Sequence, residues 1–407
     1  MDSSSTIVVV GAGQAGYWAV HTLRKQGYGG RVLLIGDEAH PPHERPPLSK
    51  QVLKGEAEPP STWLTTPEKL ADLTVEFLPG RCAVALDRHG RTIELQDGTR
   101  IGYDRLLLTT GARPRRLNLP GEAGAPVFYL RNITDSLALR EWLTAGRRLI
   151  VIGGGLIGLE VAAAAAARGC AVTVIEAADR LMARVVGPEI SAYVAQLHRD
   201  RGTEIVTGLI PERFEGDASG CRVICRDGGG YDGDLVVVGI GVVPNAELAA
   251  TAGLKVENGL WVDAFCRTED PHIWAAGDVT NHFHPLLDRR IRPETWQNAQ
   301  NQAIAAARNM VAEPQPYADV PWGWSDQLGM NLQVLGMPRS FGDAVARGDP
   351  ASGSSTLFYL EDDRIAGVNA INAPKDIAVA RRLMAANKSI DRRLLADSSV
   401  VLRALLS

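Results

Sequence analysis

The sequence predicts an α/β chain: two Rossmann-like dinucleotide-binding units followed by a smaller C-terminal α+β unit. Three observations carry this. Val8–Gly16 (VVVGAGQAG) recurs as Ile150–Gly158 (IVIGGGLIG), an internal repeat. Each copy reads as a β-rich run, a Gly-x-Gly-x-x-Gly turn, a helix and a second strand, which is a βαβ unit. From residue 319 onward the chain is β-rich and lacks that glycine pattern.

In the first copy the expected helix spans Gly13–Gln26 and the next strand Arg31–Ile35. In the second, the helix covers Leu156–Arg168, Gly169 closes it, and the strand is Ala171–Ile175. Between the copies, Pro41–Pro47 (PPHERPP) excludes a helix or a central strand. Strands are expected at Val75–Phe77, Ala83–Leu86, Thr92–Leu95 and Tyr103–Thr109, with a turn at Gln96–Gly98; Pro114 and Pro120 mark a linker. After the second copy come strands Cys221–Cys225 and Leu235–Val238, a break over Gly239–Asn245, strand Ile273–Ala276 and a helix over Glu294–Met310. In the last segment Trp322–Leu335 and Ser355–Ile371 are β-rich, Glu361–Asp363 is a hairpin turn and Asp376–Asn387 is helical. The expected domains are 1–112 with 240–318, an inserted 113–239, and 319–407.

Composition narrows the function classes. The chain has 407 residues, 45% apolar and 22% charged, enough to bury several cores without staples. A net charge of −4 argues against a nucleic-acid binder. Five cysteines at 82, 170, 221, 225 and 266 form no Cys-x-x-Cys, which disfavours zinc, iron–sulfur ligation and a secreted disulfide framework. Met1–Thr6 carries no signal-peptide pattern, and no apolar run is long enough to span a membrane. The expected compartment is the cytoplasm.

The glycines have separate tasks. The first makes the tight turn, the second lets backbone approach a pyrophosphate, and the third lets helix pack on strand. Gly11, Gly13 and Gly16 hold these places in the first copy, and Gly153, Gly155 and Gly158 in the second. An acid ending the second strand reads a ribose. Glu176 does so in copy two and favours NADH over NADPH, with Arg180 and Arg184 read as a solvated face; Asp37, with Glu38 beside it, stands near the matching place in copy one, to within a residue. A nicotinamide moves two electrons together and a flavin releases them singly, so two dinucleotide sites suggest a flavoprotein fed by NADH.

Here the chain resembles the ferredoxin reductase components of bacterial oxygenase systems, glutathione-reductase-like flavoproteins. The resemblance rests on Gly11–Gly16, Glu44–Lys50 (ERPPLSK), Leu108–Gly111, Tyr129–Arg131, Gly153–Glu160, Gly239–Asn245, Ala275–Asp278 and Trp324–Gln327, in that order along nearly the whole chain. It implies an N-terminal FAD site holding Ala15, Asp37, Arg45, Pro46, Lys50, Ala83, Thr110, Gly111, Arg131, Asp278, Glu294, Thr295 and Trp296. It implies an NAD site with Leu156, Ile157, Glu160, Glu176 and Gly241. Lys50, Glu160 and Trp324 are implied around the reacting rings. The implied acceptor is a 2Fe–2S ferredoxin.

Disulfide reductases of this fold keep a reactive cysteine against the flavin. Residues 36–70 contain none, so electrons are expected to leave directly from the flavin edge. The His282-Phe-His284 spacing is preferred as a loop pair over a metal site, and no metal is expected. Asp288–Arg292 (DRRIR), joined by Arg381 and Arg382, is either a landing patch for an acidic ferredoxin or solvated surface. Rubredoxin or P450-ferredoxin reduction, a signalling flavoprotein and an NADH oxidase are the alternatives, and monomer and homodimer stay open.

Overall fold

The computed structural model describes residues 5–406. The chain forms two compact units. Among the described residues, the first combines 5–44 with Pro60–Arg113 and Val243–Pro321; the second combines Arg45–Pro59, Pro114–Val242 and 322–406.

The first unit is built on a five-stranded parallel sheet in the order Ile273–Ala275, Arg105–Leu108, Thr6–Val10, Arg31–Ile35, Val75–Leu78. Such sheets are covered on both faces, hence the unbroken apolar runs. Alternation assigns the faces. Ile7, Val9, Val32 and Leu34 pack with Ala19 and Leu23 of the helix Gln14–Lys25 and with Ala303 and Ala307 of the helix Trp296–Val311. Val8, Val10, Leu33 and Ile35 pack with Ile93, Leu95 and Ile101 of a small antiparallel sheet.

The second unit repeats the plan. Its parallel sheet runs Glu204–Thr207, Ala171–Glu176, Arg148–Ile152, Leu235–Val238, Val127–Tyr129. Ile150 and Ile152 face another small antiparallel sheet through Phe214, Val223 and Cys225, while Leu149 and Val151 face the helix Leu156–Ala167. In both sheets the strand before the glycine turn is central, so the turn opens at the carboxyl end of the sheet, where ligands bind in such folds. The unit also contains a five-stranded antiparallel sheet, Trp322–Gln327, Met330–Gly336, Arg364–Ile371, Ser354–Glu361, Ala344–Asp349, backed by the helix Pro374–Ala386. Its first strand packs against the helix Leu156–Ala167.

Several expectations shift. Pro46–Ser49 is a single 3₁₀ turn, since prolines at the first two helical positions need no N–H partner. The expected break at 239–245 contains a short strand, Val242–Pro244. The helix expected from Glu294 starts at Trp296, because the Thr295 hydroxyl accepts from Asn298 N–H and caps it. Residues 45–59 group with the second unit, as does the C-terminal segment.

Candidate functional site

The two glycine turns have the same construction. Gly11 has φ +111°, and a Cβ there would lie 2.2 Å from Thr109 O; Gly153 has φ +108°, and its Cβ would lie 2.5 Å from Gly239 O. Only glycine fits either place. A Cβ on Gly16 or Gly158 would reach the carbonyl oxygen of Gly11 or Gly153 at 1.9 and 2.1 Å, which explains the third glycine as helix–turn packing.

The middle glycines differ. Gly13 and Gly155 have φ −84° and −80° in extended conformation, which any residue adopts. A Cβ on Gly13 meets nothing within 4 Å, and one on Gly155 only Gly239 O at 3.9 Å. Neither backbone strain nor packing within the protein asks for glycine here. The space kept bare lies at the N-terminus of a helix with no side-chain cap and no acid in its first turn. Such a terminus presents free N–H groups to an anion, so both cradles fit a dinucleotide pyrophosphate.

Glu176 ends its strand. Its Oε2 accepts from Gly154 N–H at 2.7 Å and its Oε1 from Ala178 N–H at 2.7 Å, so the carboxylate also ties the glycine turn to the strand end. Gly11 N–H donates to Ile35 O as Gly153 N–H does to Ile175 O. The position matching Glu176 in the first unit is therefore Gly36, whose Cβ would strike Ala12 Cβ at 2.5 Å; Asp37 is one residue further on and exposed. Arg180 is no solvated face: its guanidinium donates to Val186 O and Ala183 O at 2.7 and 3.0 Å and clamps the following loop. Arg184 is exposed, and a Cβ on Gly241 would lie 3.2 Å from its Nη2.

A buried ion pair lies in the second unit. Lys50 Nζ stands 2.7 Å from Glu160 Oε2, with Lys50 9% and Glu160 3% exposed. Pro46 O accepts from Lys50 Nζ at 3.3 Å, and the Ser49 hydroxyl donates to Glu160 Oε2 at 2.5 Å. The Ser325 hydroxyl donates to Glu160 Oε1 at 2.6 Å. The 3₁₀ turn delivers Ser49 and Lys50, and the helix Leu156–Ala167 delivers Glu160 from its second turn. The desolvation cost of both charges is offset because each Glu160 oxygen has a donor.

The remaining expected residues are placed as follows. Arg45 Nη1 donates to Arg131 O at 2.7 Å, and Arg131 N–H donates to Asp135, part of the capping box of the helix Ile133–Trp142. In the first unit Ala15 is buried in the helix Gln14–Lys25 and Ala83 opens the strand Ala83–Asp87. The Thr110 hydroxyl donates to Asn245 O, and Asn245 donates back to Thr110 O and Gly111 O, which fixes that turn. Asp278 follows Gly277, whose N–H donates to Gln302 Oε1 at 2.9 Å. Glu294 pairs with Arg292 at 2.6 Å, and the Trp296 indole donates to Glu44 at 3.0 Å. Ile157 is 46% exposed on the first turn of its helix, beside Leu156. Trp324 stacks on Trp322 with centroids 5.1 Å apart and donates to Asp326.

Two expectations are corrected. His282 and His284 lie on a strand, not a loop; strand alternation puts both on one buried face, 2% and 1% exposed. No group of three potential metal ligands occurs among the described residues. Arg290 donates to Val262 O and Asn281 O, and Arg292 is paired, so 288–292 is not a free basic patch. Ser49, Asn245 and Ser325 lie inside the segments Glu44–Lys50, Gly239–Asn245 and Trp324–Gln327 without being singled out there, and Gln302 lies outside every such segment.

The model of the pyridine nucleotide-disulphide oxidoreductase family matches residues 5–303. The chain belongs to this family. A reductase C-terminal model matches residues 322–406. Over 405 residues, 99% of this chain and 100% of the relative, it is 42% identical to the ferredoxin–NAD(+) reductase component of an anthranilate 1,2-dioxygenase system from Burkholderia cepacia. It superposes on the reductase of a covalent putidaredoxin reductase–putidaredoxin complex with a TM-score of 0.96 at 36% identity, covering 100% and 99% of the two chains. It superposes on the ferredoxin reductase for the CYP199A2 system of Rhodopseudomonas palustris with a TM-score of 0.96 at 38% identity, covering 99% and 100%. All five cysteines are free. Burial pushes each thiol upward, Cys221 to about 11 and Cys266 further still. Not one is poised as a thiolate. No helix among the described residues is long and apolar enough to cross a membrane.

Proposed function

We propose that the chain is a ferredoxin–NAD(+) reductase of the cytoplasm. It oxidises one NADH to NAD⁺ and a proton and delivers the two electrons singly to two molecules of a 2Fe–2S ferredoxin, of Rieske type, serving an aromatic-ring dioxygenase. The observation that carries this is the pair of bare glycines, Gly13 and Gly155, each opening an uncapped helix at the carboxyl end of its own sheet. Relatives with full-length similarity are named for this reaction.

FAD is assigned to domain 1–112 with 240–318, through Gly11–Gly16, Asp37, Ala83, Thr110, Gly111, Asp278 and Glu294–Trp296, together with Arg45, Pro46, Lys50 and Arg131. NADH is assigned to domain 113–239, through Gly153–Gly158, Glu160, Glu176 and Gly241. Residues 319–407 carry Trp324. When bound, the flavin supplies the change from a two-electron donor to one-electron acceptors. The protein's share is positioning and electrostatics. Lys50 offers a fixed ammonium to an electron-rich ring, Glu160 holds it there, and Glu176 accepts from a ribose hydroxyl while opposing a 2′-phosphate. No cysteine takes part.

The test is NADH-driven cytochrome c reduction with and without added ferredoxins of Rieske, plant-like, P450 and rubredoxin type. Strong stimulation by the Rieske type is the expected result. Stimulation by the P450 type alone would move the assignment to that partner, and fast oxygen consumption without stimulation would make the chain an oxidase.

A further inference from the structure

A row of buried polar side chains in the second unit extends past the Lys50–Glu160 pair. Ser325 donates to Glu160 Oε1 at 2.6 Å, Gln327 Nε2 donates to Ser325 Oγ at 3.1 Å, and Gln327 Oε1 lies 2.7 Å from His198 Nε2. Glu160, Ser325, Gln327 and His198 are at most 4% exposed. Ser325 and Gln327 are two apart on the strand Trp322–Gln327 and so share a face, while His198 comes from the helix Pro188–Arg199. Three separate elements thus meet in one line of hydrogen bonds.

The protons along this line have one consistent order. A carboxylate only accepts, so Ser325 must donate to Glu160. The Ser325 oxygen is then free to accept from the Gln327 amide nitrogen. That turns the Gln327 oxygen to His198, which must carry its proton on Nε2. Among the described residues His198 Nδ1 has no hydrogen-bond partner, so nothing there imposes the opposite order at the far end. Burial lowers the His198 pKa, in keeping with a neutral ring.

We propose that Ser325, Gln327 and His198 are positioning residues: their one-way row pins the Glu160 carboxylate and, through it, the Lys50 ammonium for hydride transfer. The proposal rests on the assignment of Lys50 and Glu160 made above. Glu160 Oε2 takes both Ser49 and Lys50, whereas Oε1 takes Ser325. Without the row, Oε1 is a buried charged acceptor left unpaired, and the carboxylate can turn and carry the flexible Lys50 stem with it.

The test uses the FAD-loaded protein with ¹⁵N-labelled histidine, the His198 signal being identified among the eight histidines by its loss in His198→Asn. In the parent the expected state is neutral with the proton on Nε2. In Glu160→Gln the amide can donate to Ser325, which reverses every bond in the row, and His198 is expected to move toward the Nδ1–H tautomer. With ferricyanide as acceptor, Ser325→Ala should lower kcat roughly tenfold with KM for NADH little changed, and Ser325→Thr, which keeps the hydroxyl, should recover most of it. A parent His198 protonated on Nδ1, a signal unmoved by Glu160→Gln, or a Ser325→Thr as slow as Ser325→Ala would each overturn the proposal. None of these readouts involves a ferredoxin, so a failure to reduce any ferredoxin would count against the proposed function alone.

Discussion

Replacing Gly155 by alanine separates a glycine kept for a ligand from one kept for the fold. The backbone at Gly155, φ −80° and ψ −179°, suits alanine, and the new methyl meets only Gly239 O at 3.9 Å. Reducing the freedom of the unfolded chain contributes ~0.4–1 kcal/mol of stability. Alanine is a poorer N-cap than glycine, which costs a similar amount, roughly up to 1 kcal/mol. The two offset, and the unfolding free energy should change by less than about 0.5 kcal/mol. The methyl would nevertheless fill the space assigned to the pyrophosphate. Losing most of an anion–helix interaction of up to ~2 kcal/mol raises KM for NADH about 10- to 30-fold. Urea unfolding and NADH titration with ferricyanide measure the two effects separately. Gly153→Ala is the contrast: φ +108° and a carbonyl 2.5 Å away should destabilise the unit by more than ~2 kcal/mol. A Gly155→Ala variant with unchanged KM for NADH would refute the assignment of the bare space.

Three further outcomes are expected. Glu176→Ala should lower the preference for NADH over NADPH, read as the ratio of kcat/KM values, by about tenfold or more, since a carboxylate that opposes a 2′-phosphate is removed and Arg184 remains exposed nearby; an unchanged ratio would sink the role of Glu176. Lys50→Met strands the Glu160 charge and should cost ~3–5 kcal/mol in urea unfolding, much of it recovered when Glu160→Met is added; a loss below about 1 kcal/mol would mean the pair is screened by solvent. Burial pushes His282 down from 6.5 to about 3, so between those values the unfolded chain binds a proton that the folded one does not. Its contribution is full above pH 6.5 and falls by ~1.4 kcal/mol per pH unit as the solution is acidified through that window; His282→Asn should flatten the stability–pH curve there, and an unaltered slope would contradict the burial argument.

What could be read in advance was whatever depends on local chemistry. Gly11 and Gly153 announce themselves because no other residue tolerates their φ and the carbonyl beside them, and the runs at Ile7–Val10 and Leu149–Ile152 because both faces of each sheet are covered. What stayed hidden depends on partners distant in sequence. The chain motif shows an acid near the end of the strand Arg31–Ile35, but only the Gly11–Ile35 hydrogen bond shows that Gly36, and not Asp37, matches Glu176. His282 and His284 have a metal-like spacing, yet the strand turns both inward. The basic run at 288–292 looks like surface until Arg290 is seen to spend its donors on backbone carbonyls. Lys50 and Glu160 were singled out one by one through resemblance, while their union with Ser325 needs a strand 165 positions away to arrive.

The two glycine-led helices begin unfinished, with no side chain to close their first turns. Under the proposed function they differ in what completes them. A resident FAD would make the opening turn at Gln14 a permanent part of the folded body. NADH arrives and departs, so the opening turn at Leu156 gains and loses its missing acceptor once per cycle. Glu160 sits in the very next turn of that helix. With that assignment, the carboxylate that steadies Lys50 would be mounted on a stem whose first turn is completed only while the dinucleotide is bound, whereas the other cradle would stay filled throughout.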